Sequence, residues 1–283
     1  MSREHLSIID RTPAENKEEP YKRKEKSSTQ LIVALEAMTK IAVKELKIEG
    51  LEHLQEIPPD RMVVIAVSHA SDLDLPLVAS ALCRHLDLII TNQSTQYKFL
   101  QDPGSNIGMK ILGQDNFLPI DWQLRGSGKP RKFNPENYKP MVEAMQGGRS
   151  IIIAAHTPSH KGTIERSGYG AVYLSEIANA IVLPVGVDVE AEDKAEVGMS
   201  DHKIKTLLHR PSARVNIGKP FELQKIEGIE RMAEITEKRK TGQPATEKEL
   251  IEFTSLKDQL REQSKILIDS VADLMPLSKQ APE

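Results

Sequence analysis

The chain has a single cysteine, Cys83, so no intramolecular disulfide can form, and stability must come from packing. That usage fits a reducing compartment. Cys83 stands among Val78, Leu82 and Leu86, where a thiol reads as a small buried hydrophobe rather than a nucleophile. Aromatic residues are scarce, at 4%, so a core drawn from 39% hydrophobic residues is built of Leu, Ile, Val and Ala. Charge of one sign is also lacking. The formal net charge of −3 supplies no global basic field, which argues against nucleic acid as a partner. No apolar run approaches the roughly 20 residues of a membrane-spanning helix. Residues 1–30 lack the apolar centre of a secretory signal and are dense in mixed charge, as expected of a disordered polar arm. A cytoplasmic protein is the expectation, with at most a peripheral membrane contact. No internal repeat is present.

What the chain does contain alternates between strand and helix. Leu31, Ile32, Leu35, Met38, Ile41, Ala42 and Leu46 recur at helical spacing, predicting an amphipathic helix of about four turns. Its apolar side either packs on the domain or touches a membrane. Two continuous apolar runs, Met62 to Val67 and Ser150 to Ala155, predict strands buried on both faces, and a third apolar run, Ile181 to Val187, predicts a further strand. Shorter strands are predicted at Leu86 to Thr91, Phe117 to Asp121 and Ala213 to Gly218. Helices are predicted after Asp74, at Ile107 to Leu112, at Tyr138 to Gln146 and at Gly170 to Ala178. The fold class is therefore α/β, with a mixed, largely parallel central sheet flanked by helices. From Ile226 the chain reads as helical and charged, with Leu256, Leu260, Ile266, Leu267, Val271 and Leu274 as an apolar stripe. The expected organisation is an arm over 1–30, an α/β domain over 31–222, and a helical C-terminal extension over 223–283.

His69 follows the buried run ending at Val67, at a strand's carboxyl end, where α/β sheets collect their sites. Asp74 lies five residues on, where the next helix begins. The short loop can fold back so that the carboxylate orients one imidazole nitrogen while the other faces a substrate hydroxyl. A plainer reading is available. Ser71, Asp72 and Asp74 are good helix caps, and Pro76 suits a first turn.

The surrounding segments separate these readings. Ser68-His69 with Ser71 and Asp74 resembles the Asn-His-x-Ser-x-x-Asp block of the glycerophospholipid acyltransferase family, with Ser68 in place of Asn. The lead-in Gly50 to Leu54 is similar to that family's Gly-x-Glu-x-Leu-Pro. Gly113 to Asp121 resembles its second block, Ile181 to Val187 its fourth, and Val215 to Phe221 its closing strand. The resemblance spans residues 45–222 with the blocks in order. It implies a glycerol-3-phosphate acyltransferase-like fold and a His69–Asp74 dyad (the HX4D motif). It also implies transfer of a fatty acyl group from acyl-CoA or acyl carrier protein to glycerol-3-phosphate or a lysophospholipid, in phospholipid biosynthesis. No cofactor is implied.

The third block departs from the pattern. The family has Pro-Glu-Gly-Thr-Arg-Ser; here Ala154, Ala155, His156, Thr157, Pro158 and Ser159 occupy it. Thr157 and Ser159 survive, while the charged Glu and Arg are replaced by Ala155 and Pro158. A phosphate needs fixed positive partners, and Pro158 offers none. Arg125, Lys129, Arg131, Lys132, Lys161 and Arg166 could rebuild an anion pocket, or could be solvated loop charges. Alternatively the acceptor lacks a phosphate, the chain binds lipid without turning it over, or the dyad activates water as a thioesterase does. His156 and His160 with Asp74 suggest a metal site only on a helix that Pro158 opposes, so no metal is expected.

Overall fold

In the computed structural model, residues 22–69, 73–92, 111–119, 134–156, 168–189 and 210–276 are described. The three apolar runs form the middle of the sheet. β2 (Val63–Val67) lies between β5 (Ser150–Ala154) and β6 (Ile181–Val189), and all five residues of β2 are buried. With β1 (Glu45–Glu49), β3 (Leu88–Asn92), β4 (Phe117–Pro119) and β7 (Ser212–Ile217), the seven strands run in the order β1-β7-β6-β2-β5-β3-β4. Every neighbouring pair is parallel except β6 and β7. The expected mixed, largely parallel sheet is present.

Side-chain alternation sends the strands' residues to two cores. Val63, Ile65 and Val67 meet α1 (Thr29–Ala42) and α2 (Asp74–Leu82), whose Leu35, Leu77, Val78 and Leu82 are buried there. Val64 and Ala66 face α3 (Lys139–Gln146) and α4 (Gly170–Ile177). Apolar packing on both faces is why β2, β5 and β6 read as unbroken runs. It also places Cys83 in the first core, fully buried, where desolvation pushes its thiol up to about 11. Such a thiol is inert near neutral pH, as its apolar setting in the sequence suggests.

Three segments are defined more closely by the packing. The first helix stops at Ala42, because Val43 turns extended and Leu46 enters β1, which pairs with β7. Arg210 closes that end by donating to the carbonyls of Lys40 and Val43. Residues 22–28, assigned to the polar arm, are tied to the domain: the buried Ser27 hydroxyl donates to the Leu86 carbonyl and accepts from the Leu88 N–H, both at 3.0 Å. The expected helical C-terminal segment is present, and its apolar stripe packs on the sheet. α5 (Arg231–Lys240) and α6 (Glu247–Ala272) belong to the second core, where Leu256, Leu260, Leu267 and Val271 are buried. Ile266 instead points outward and is 51% exposed. Among the described residues, no helix is long and apolar enough to cross a membrane.

Glu249 fastens α5 to α6. It completes a capping box with Thr246 at the start of α6, accepting from the Thr246 N–H at 2.9 Å, and also takes the Lys238 ammonium. The Lys238 bond first, then the backbone bond, hold its carboxyl down at about 2 from an ordinary 4.5. Its stabilisation is therefore complete above the ordinary value and is lost as pH falls towards 2. Glu249→Gln is expected to melt below the parent at pH 7. The gap should narrow steadily between pH 4.5 and about 2 in calorimetric scans.

Candidate active site

The sheet's connectivity places a topological switch point beside β2. From β2 the chain crosses by α2, on the first core's face, to β3 on one side. From β5 it crosses by α4, on the opposite face, to β6 on the other side. Adjacent parallel strands whose connections leave for opposite faces define a switch point, and ligands bind at its carboxyl ends. His69 stands two residues beyond the end of β2 at that point, and His156 two residues beyond the end of β5.

Asp74 comes to His69 across the loop, with Nδ1 of the imidazole 3.9 Å from Oδ2 of the carboxylate. This separation is an ion-pair distance and is longer than a hydrogen bond. The carboxylate is 1% exposed and the imidazole 20%, so the pair is an inner acid oriented towards a partly open ring. Leu73, not Asp74, is the N-cap of α2, and no side-chain cap bond is made there. Asp74 is the first helical residue, where the helix dipole favours a carboxylate. Asp74 itself is therefore not the N-cap residue of α2.

The end of β2 is held by side chains on both sides. The Ala155 N–H donates to the Val67 carbonyl at 2.8 Å as the last regular rung towards β5. One rung further, a parallel ladder would pair the His69 N–H with the Ala155 carbonyl. That carbonyl instead accepts from the Gly168 N–H, and the His69 N–H donates to Nε2 of His156 at 2.8 Å. Towards β6, Ser68 donates its N–H to the Val185 carbonyl, and its hydroxyl oxygen accepts from the Val187 N–H at 2.8 Å. Ser68, at the family's Asn position, and His156 therefore both replace backbone acceptors. Neither role has a signal in the sequence beyond the presence of a polar residue at a strand end.

Of the expected site residues, His69 and Asp74 are brought together. Ser71, Arg125, Lys129, Arg131, Lys132, Thr157, Ser159, Lys161 and Arg166 lie outside the described residues, as does His160. Ala155, at the family's Glu position, is fully buried in the second core, on the sheet face opposite α2. Nε2 of His156 is committed to the His69 N–H and is not available to a metal. Among the described residues, no group of three or more His, Cys, Asp or Glu is arranged to hold a metal ion. A solvent-open groove along α6, lined by Ile226, Leu250, Ile251 and Ile266, includes neither His69 nor Asp74.

No protein-family model matches the chain, and no curated protein matches it in sequence. Among solved structures, the chain is similar to the 1-acyl-sn-glycerophosphate (LPA) acyltransferase PlsC from Thermotoga maritima. Identity is 15%, coverage is 82% of this chain and 79% of that one, and the TM-score is 0.42.

Proposed function

We propose that the chain transfers a fatty acyl group from an acyl thioester, acyl-CoA or acyl carrier protein, to an acceptor hydroxyl. The preferred acceptor is glycerol-3-phosphate or a lysophospholipid. The observation that carries this reading is the approach of Asp74 Oδ2 to 3.9 Å from His69 Nδ1 at the carboxyl end of β2. The order of the acyltransferase-like blocks along residues 45–222 supports it further.

In this reading His69 removes the acceptor's hydroxyl proton through Nε2 as the oxygen attacks the thioester carbonyl. Asp74 fixes the ring and stabilises the imidazolium that forms. Collapse of the tetrahedral intermediate breaks the carbon–sulfur bond, and the proton held by His69 passes to the departing thiolate. An ester and a free thiol result, so the reaction balances without a metal or redox cofactor. Cations of the two loops, Arg125, Lys129, Arg131, Lys132, Lys161 and Arg166, would hold an acceptor phosphate. Ser71, Thr157 and Ser159 would supply neutral hydrogen bonds.

A second reading, a lipid-binding relative without turnover, is favoured by one observation. The family's acceptor-placing Glu is here an alanine turned into the core. One assay separates the readings. Labelled palmitoyl-CoA is incubated with the full chain, with and without 1-oleoylglycerol 3-phosphate, and products are resolved by chromatography. Transfer predicts labelled phosphatidic acid only with acceptor present. Free palmitate regardless of acceptor indicates a thioesterase. Saturable acyl binding with neither product indicates the silent relative.

A further inference from the structure

His156 is buried, 2% exposed, and its position in the third block matches a glycine in the acyltransferase pattern. A titratable ring at the end of β5 therefore needs a local explanation. Nε2 accepts the His69 backbone N–H at 2.8 Å, a full hydrogen bond. An imidazole nitrogen that accepts carries no proton, so the ring is neutral with its proton on Nδ1. A ring protonated on Nε2 would turn an N–H against an N–H at this spacing.

We propose that His156, as the neutral Nδ1–H tautomer, is the positioning residue for His69, anchoring the peptide from which the candidate base projects. This role rests on the acyl-transfer reading of His69. Three observations lead to it. The bond occupies the rung that the β2–β5 ladder would otherwise complete with the Ala155 carbonyl, which Gly168 has taken. The anchored N–H belongs to His69 itself, so it fixes the Cα that carries the imidazole. Finally, His69 Nδ1 already stands 3.9 Å from Asp74 Oδ2, so little drift can be tolerated before the dyad separates. Misplacement of a catalytic group by about 1 Å can cost about 100-fold in rate. Ser68 holds the β6 side of the strand end through the Val187 N–H, leaving the β5 side to His156.

The test uses the full chain in three forms: parent, His156→Leu and His156→Gln, whose amide oxygen can accept the same N–H. In nitrogen-15 spectra of the parent, a scalar coupling across the bond is expected between the His69 amide and His156 Nε2. Amide exchange at His69 should accelerate roughly tenfold or more in His156→Leu, equivalent to about 1.4 kcal/mol, and recover in His156→Gln. With palmitoyl-CoA and 1-oleoylglycerol 3-phosphate, His156→Leu should lower kcat about 100-fold, leaving KM for palmitoyl-CoA within about threefold. His156→Gln should restore most of kcat. A protonated Nε2, or a His69 amide equally slow in His156→Leu, would overturn the proposal. An inactive parent that keeps the bond sinks the transfer reading and leaves the anchor standing.

Discussion

Asp74→Asn is expected to lower kcat for acyl transfer by about 10³- to 10⁴-fold while changing KM little. The substitution keeps the volume of a side chain that is 1% exposed, so packing at the start of α2 is preserved. What is lost is charge. A neutral amide beside Nδ1 cannot stabilise the imidazolium that forms when the acceptor proton arrives, and its NH2 group can present a donor where an acceptor is needed. Stability should move little. Losing a carboxylate from the first turn costs about 0.3–1 kcal/mol of dipole interaction, and relief from burying a charge offsets part of that. His69→Ala should fall further, to the background that binding alone sustains. The measurement is steady-state kinetics with palmitoyl-CoA and a lysophospholipid, alongside calorimetry of each variant. If Asp74 only began a helix, asparagine would serve it as well, and unchanged kcat in Asp74→Asn would sink the dyad.

The parts of this architecture that can be read in the sequence are those in which each residue's environment repeats along the chain. Val63 to Val67, Ile151 to Ile153 and Ile181 to Val187 are apolar without interruption because helices cover both faces of the sheet. Strand β1 is hidden for the opposite reason. It is an edge strand whose burial alternates, and Leu46 continues the helical spacing of Leu35 and Ala42 closely enough to disguise the break. That break depends on β7 and on Arg210, some 170 residues away, and no local pattern announces either. Ile266 misleads in a similar way. It adjoins the stripe on α6 in sequence but is half exposed and lines the open groove beside Ile226.

The candidate site divides along the same line. His69 and Asp74 are five residues apart on one strand–loop–helix unit, so their meeting is a local event that spacing can anticipate. In the sequence His156 is visible only as one member of a His-x-x-x-His pair, a pattern that suggests a metal. Its actual partner is a backbone N–H 87 residues away. A side chain that substitutes for a carbonyl in a β ladder leaves no spacing signature, since the donor it meets exists at every residue but proline. Ser68 accepts from Val187 in the same manner. Both are polar side chains at the point where β2 must leave its neighbours, and that departure frees the chain to bring His69 towards α2.

Gly50→Ala should cost about 2–5 kcal/mol, a large loss for a single added methyl group. Gly50 joins β1 to a 3-10 helix over Leu51–Glu56 and has φ +82°, in the left-handed region that L side chains avoid. That conformation alone costs about 1–2 kcal/mol for alanine. The second cost is steric. A Cβ on Gly50 would lie 2.0 Å from the Ile217 carbonyl oxygen, and that oxygen is backbone at the end of β7. It cannot swing aside as a side chain would, because Ile217 is paired with Val185 and the next residue, Gly218, donates its N–H to Pro184. Relief would require moving the end of β1 away from β7. Gly242 supplies the control, since its φ is +79° and nothing lies within 4 Å of an added Cβ. Gly242→Ala should therefore show only the backbone cost, about 1–2 kcal/mol. Thermal unfolding of both variants isolates the contact. At about 2–4 °C per kcal/mol, Gly50→Ala should melt several degrees below Gly242→Ala. Equal melting temperatures would mean that the β1–β7 edge yields freely, and that the approach of Gly50 to Ile217 contributes nothing to holding the sheet.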